Sequence, residues 1–99
     1  MYENPIPRAR RAFPFIAVLQ SDFADTGRDR MVAPLVPRTR MPGAAGRLTP
    51  VVSILGVEHL LLVPRMTAVP VADLREPKDE IARYRDAITA AIDFLFLGV

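Results

Sequence analysis

The chain has no cysteine and no tryptophan, one histidine (His59), one lysine (Lys78) and only two serines, Ser21 and Ser53. Without cysteine there are no disulfides, thiolate metal ligands or thiol nucleophiles, which fits a reducing cytoplasm. Neither serine has a nucleophile-elbow context, and no zinc-ligand spacing exists. No apolar run approaches the roughly 18 residues of a membrane span. Arg8, Arg10 and Arg11 ahead of the apolar run Ala12–Leu19 mimic a signal peptide. Pro14 interrupts that run, however, and Gln20-Ser21-Asp22 stands where a small-residue cleavage site would be, so a buried strand is the better reading. The expectation is a cytoplasmic protein without membrane segment, metal or cofactor.

What is present suffices for one core. The 99 residues, 51% of them hydrophobic, suit a single domain spanning residues 1–99. A domain this small gains burial by pairing, so a homodimer through its strands is expected. Residues 1–50 carry eight Arg against four acids, a balance of +4, and residues 51–99 carry five bases against seven acids, a balance of −2. Arg outnumbers Lys twelve to one, which favours fixed pairing with carboxylates or phosphates over a loose cationic coat. Ordinary solvated loop charge accounts for these arginines more simply than nucleic-acid binding.

Ten prolines punctuate the chain, and only Pro77 falls in its last quarter, so short strands and turns should precede one helix. Strands are expected at 13–19, apolar on both pleat faces, at 31–35, ending around Pro34, at 51–54, 57–63 and 69–71. Leu55-Gly56 should form a two-residue hairpin turn with Gly at positive φ. Residues 21–29 and 37–47 read as loops, the second long and mobile. The helix is expected at 77–96, with Pro77 in its first turn, an Asp79/Arg83 pair on its surface and Gly98 ending it. Ile81, Tyr84, Ile88, Ala91, Ile92 and Leu95 recur at three- and four-residue spacing and make one apolar stripe. The tail Phe94-Leu95-Phe96-Leu97-Gly98-Val99 is apolar all round. One helix face cannot bury it, so part of it should reach a partner. The pattern implies an α+β fold, a small antiparallel barrel or sheet with a long C-terminal helix.

No active site assembles from the residues. His59 lies in an alternating segment and reads as a strand-face residue before a general base. Asp22 and Asp25 read as turn residues, and Gly43-Ala44-Ala45-Gly46 lacks the Lys-Ser/Thr of a phosphate loop.

The order of local patterns nevertheless resembles the CcdB family. Tyr2-x-Asn4-Pro5 looks like the end of that family's first strand and its turn. Gln20-Ser21-Asp22, with Asp25-Thr26 behind, resembles the loop after the second strand, and Arg30-Met31-Val32-x-Pro34-Leu35 the next strand. Leu48-x-Pro50-Val51-Val52, Met66 and Val69-Pro70 follow at similar spacing. Asp79-Glu80-Ile81 and Ala91-Ile92-Asp93-Phe94-Leu95-Phe96-x-Gly98-Val99 resemble the terminal helix. Relatives carry several more residues ahead of Met1-Tyr2, so a stubby first strand or an upstream start is expected.

The resemblance implies an SH3-like barrel or sheet, a homodimer, and the toxin half of a toxin–antitoxin module that autoregulates its operon. Such a toxin poisons the gyrase A subunit through its tail, is neutralised by a CcdA-like antitoxin, and meets DNA only through the antitoxin complex. The implied target contacts are Phe23, Ala24, Asp93, Phe96, Leu97, Gly98 and Val99. Arg8, Arg10, Arg11, Arg38 and Arg40 suit an acidic antitoxin segment. Gyrase-directed relatives carry Trp where this chain has Leu97, and a cation–π contact of about 0.5–2 kcal/mol is thereby lost. A relative that keeps the antitoxin but has changed target is the alternative. A ribonuclease toxin, which would need His59 as proton shuttle among converging Arg, is the more remote one.

Overall fold

The computed structural model of the protein describes residues 1–20 and 27–98. Six strands form one curled antiparallel sheet, a half-barrel of SH3-like α+β type, closed on one face by a C-terminal helix. The strands are β1 (Tyr2–Glu3), β2 (Phe15–Val18), β3 (Asp29–Pro37), β4 (Val51–Ile54), β5 (Val57–Leu61) and β6 (Thr67–Pro70); the helix α1 is Arg85–Leu97. The order across the sheet is β1-β2-β3-β5-β4, and β6 also pairs with β3. The first strand has two residues.

β3 organises the curl, and it is longer than the 31–35 expected. Val32–Leu35 pair with β2 on one side. On the other side Asp29–Val32 pair with β6 and Leu35–Pro37 with β5. Pro34 does not end the strand because it stands between those two partners. Its carbonyl accepts the Leu62 N–H at 2.9 Å, so its imino nitrogen faces the same side, where no ladder bond is required. One nine-residue strand thus serves two partners and lets the sheet bend between them.

Both pleat faces of the central strands are buried. Ala17, Leu19, Ala33, Leu35, Val52, Ile54, Leu61 and Val63 face α1, which contributes Ile88 and Ala91. Ile92 and Leu95 of α1 pack around them, as do Ile81 and Tyr84 from the segment ahead of it, so the apolar stripe of the helix is its core face. On the opposite face, Ile16, Val32 and Val69 form one cluster and Val36, Leu60 and Leu62 another. Leu74 covers the first, and Phe13, Ala44 and Val51 pack on the second.

The β4–β5 hairpin turns on Leu55 and Gly56, both at positive φ (51° and 80°), a turn that matches the strand twist. Its outer edge is capped by side chains. The Ser53 N–H donates to the Tyr84 hydroxyl at 2.9 Å and the Leu55 N–H to Asp79 Oδ2 at 2.8 Å.

Other boundaries also move. β2 begins at Phe15 rather than 13, since the Phe13 N–H is drawn to the Ala9 carbonyl (2.8 Å) and the Pro14 carbonyl accepts Asn4 N–H (3.0 Å). β5 stops at Leu61, and Val63–Arg65 form a 3-10 turn around Pro64. β6 starts two residues before the expected 69, and Val71–Asp73 turn away as a 3-10 segment. The 37–47 connection, expected to lack structure, opens with a 3-10 turn at Arg38–Arg40. The Gly46–Thr49 turn then closes it with reciprocal backbone bonds of 3.2 and 3.1 Å.

The largest correction concerns the helix start. Residues 77–81 are not helical, and a 3-10 turn at Ala82–Tyr84 leads into α1. Their backbone is engaged elsewhere. The Lys78 N–H donates to the Met1 carbonyl, and the Met1 amine to the Asp79 carbonyl, both at 2.7 Å. Asp79 turns both carboxylate oxygens on backbone N–H groups, those of Leu55 and Glu80. Those two bonds hold its carboxyl below the usual carboxylate range, and Arg83 lies over the Tyr84 ring instead of pairing along a helix. Gly98 does end the helix, at φ 74° with its N–H on the Phe94 carbonyl.

Candidate functional site

The end of α1 presents apolar surface that the core does not use. Ile88 and Ala91 are buried and Leu95 is half-buried, yet Phe96 and Leu97 are 69% and 70% exposed. The pair does not join Ile88, Ala91, Ile92 and Leu95 in the packing of α1 against the core. Asp93 and Gly98 are exposed beside them. Of the residues expected to meet a target, these four stand together in the last turns of the helix and its cap. Phe23, Ala24 and Val99 lie outside the described residues, as do Asp22 and Asp25.

Arg47 adds a group that the sequence did not single out. It occupies the Gly46–Thr49 turn, and its guanidinium sits 4.0 Å from the centroid of the Phe94 ring. The Thr49 hydroxyl donates to the Ala44 carbonyl and steadies the turn. A cation from the 37–47 connection is therefore stacked at the root of the apolar tail. No local spacing signals this pairing, because the partners stand 47 positions apart in the chain.

The five arginines expected to share one partner divide. Arg10 turns back on the first strand: its Nε is 3.0 Å from Glu3 Oε1 and donates to the Asn4 carbonyl at 2.6 Å. It lines an open groove of about 480 Å³ with Glu3, Pro5, Asp73, Arg75, Glu76 and Lys78. Asn4 organises that corner. It is buried, donates from Nδ2 to the Phe13 carbonyl at 2.9 Å and accepts the Ile6 N–H at 3.0 Å.

Arg11, Arg38 and Arg40 gather elsewhere, at the end of the sheet where Phe13 and Ala44 pack on Val36, Leu60 and Leu62. Arg40 Nη1 donates to the carbonyls of Arg11 (2.6 Å) and Ala12 (3.3 Å). Arg38 faces Glu58 at 3.4 Å, an exposed pair worth little. Arg65 joins them with its guanidinium 5.5 Å from the Phe13 ring centroid. Arg8 is exposed on the 3-10 turn Pro7–Ala9.

His59 is 3% exposed, with Nδ1 2.9 Å from the Val57 carbonyl and its ring edge-on to Phe15 at 5.7 Å. It is packed as a strand residue of β5. Among the described residues, no group of His, Asp and Glu is arranged to hold a metal ion, and no helix is long and apolar enough to cross a membrane.

Comparison with curated proteins finds no match. The family profile described as CcdB protein matches residues 1–98, nearly the whole chain. That match, with a half-barrel closed by a terminal helix, places the chain in the CcdB family, the toxins of toxin–antitoxin modules.

Proposed function

We propose that the protein is a toxin that acts by binding, directed at the A subunit of gyrase or another type II topoisomerase through the end of α1. The exposure of Phe96 and Leu97 beside a filled helix stripe carries this reading. Anchors of interfaces are large apolar groups that leave water on binding, and these two have no use inside the chain. A homodimer would offer two such tails to a twofold target. Leu97 offers no indole for a cation–π contact with the target, which keeps a changed target as the second reading.

The antitoxin reading narrows with the division of the arginines. An extended peptide needs a concave seat, and the groove lined by Arg10, Arg75 and Lys78 with Glu3, Asp73 and Glu76 offers one. The segment it suits carries both signs of charge. Its binding should weaken on Arg75→Glu and respond to salt.

The tail is tested by deleting Leu97, Gly98 and Val99 and, separately, by Leu97→Trp. The truncated protein should melt within a degree or two of the full chain and lose binding to the gyrase A subunit. The Trp variant should gain gyrase affinity. A truncation that costs about 1.5–3 kcal/mol per lost side chain would assign these residues to the core instead.

A further inference from the structure

The end of the sheet that gathers Arg11, Arg38, Arg40 and Arg65 is built from acid-poor chain. Residues 4–20, 30–57 and 59–72 contain no Asp or Glu, and Glu58 is the one acid between the last two stretches. Three segments remote in sequence meet there: the run into β2, the 3-10 turn after β3, and the 3-10 turn after β5. Two of the cations are held by groups that do not neutralise them. Arg40 is fixed by two backbone carbonyls and Arg65 by an aromatic face, and only Arg38 meets a carboxylate, at 3.4 Å. All four arginines are exposed. Ordering a guanidinium in advance while keeping its charge is what an anion partner gains from, since less rotamer freedom is lost on contact.

From this we infer that the face formed by Arg11, Arg38, Arg40 and Arg65 binds the sugar–phosphate backbone of duplex DNA directly, so that the toxin makes its own contacts to DNA and does not reach it only through an antitoxin. Two features favour this partner. Single-stranded nucleic acid is held by bases stacking on open aromatic faces, but here Arg65 already lies over Phe13, whose ring also packs on Val36, Leu60 and Leu62. An acidic peptide that folds on binding needs apolar anchors in a concavity. The groove described above, lined by Arg10, Arg75 and Lys78, includes none of these four arginines, so such a peptide has its seat elsewhere. Phosphate contacts need only positioned charge, and they read no sequence.

The test uses the whole protein without antitoxin and a fluorescent duplex of about 20 base pairs, titrated by anisotropy between about 50 and 200 mM salt. Binding should be independent of sequence, with a log–log salt slope of about −3 to −4 for four phosphate contacts. Arg11→Ala and Arg65→Ala should each reduce the slope by about 1, and the double variant should weaken binding about tenfold or more at low salt. Arg83→Ala, which removes an arginine that stacks on Tyr84 and does not belong to this cluster, should change neither. Arg40→Lys keeps the charge but loses the fork on the 11–12 carbonyls, so it should retain most of the slope. Absence of DNA binding at low salt overturns the inference, as does a slope that the Arg11 and Arg65 variants leave untouched. Binding of polyglutamate in place of DNA, lost in the same variants, would also overturn it by assigning the face to an acidic protein.

Discussion

The two ends of the C-terminal segment receive opposite treatment. At residues 78–80 backbone N–H and carbonyl groups bond to Met1, and the Asp79 side chain holds the β4–β5 turn. At residues 96–97 the helix is regular, yet two large apolar side chains stand in water. By local preference the first end should be helix and the second buried. The difference teaches that helix propensity yields where another element can use the backbone, and that an apolar side chain stays in water where the core is already filled. A fold alone has little reason to keep the second arrangement, so the free end is the place to look for a partner.

The comparison is sharpest on the helix itself. Ile88 is 1% exposed in the middle of α1, and Leu97, one residue type away in chemistry, is 70% exposed. Ile88→Ala should cost about 2–5 kcal/mol, whereas Leu97→Ala should stay within about 0.5 kcal/mol of the parent. Denaturant unfolding of both variants at neutral pH decides this. Comparable losses would mean that the tail is folded against the sheet in solution.

Much of this contrast was legible in the sequence, and the rest was not for identifiable reasons. The stripe from Ile81 to Leu95 and the surplus of apolar residues behind it are periodic facts, so the core face and the sticky end could be read directly. The Leu55-Gly56 turn was marked by its glycine. The length of β3 was hidden because Pro34 normally ends a strand, and only the gap between β5 and β6 excuses it. The helix start was hidden because Pro77 and its acidic neighbours imitate a helix N-terminus while the competing partners, Met1 and Leu55, are far away in sequence. Arg47 on Phe94 and Arg65 on Phe13 were invisible for the same reason, since no short-range pattern encodes a contact between distant segments.

A middle-sized effect probes the tied end from the hairpin side. Leu55 is the only described non-glycine residue at positive φ, and its side chain is 61% exposed. It bears the steric cost of the left-handed region while burying little, and Asn tolerates that region better. Leu55→Asn should stabilise the protein by about 0.5–1 kcal/mol, read as a raised denaturation midpoint with an unchanged slope. A loss of stability would show that the exposed Leu55 side chain packs on a partner surface, for instance that of a second copy.

The smallest effect isolates the clamp at the tied end and is visible only through pH. Asp79 accepts the N–H groups of Leu55 and Glu80, each at 2.8 Å, and both bonds favour the ionised carboxylate, which lowers its pKa in the folded protein. A group whose folded pKa lies below its unfolded value contributes stability above the unfolded value, about 4 for Asp. That contribution is lost as pH falls from about 4 through the folded pKa, because the unfolded chain takes up the proton first. Asp79→Asn removes the charge and leaves one carbonyl oxygen to serve two donors. The variant should therefore be less stable than the parent at pH 7 by a constant margin down to about pH 5, and the margin should shrink on further acidification. Unfolding curves for both proteins from pH 7 to pH 3 give the margin directly. If it stays level through pH 4, the ionised carboxylate is not what ties residues 78–80 to the hairpin, and the N-terminal contacts through Met1 must hold that end alone.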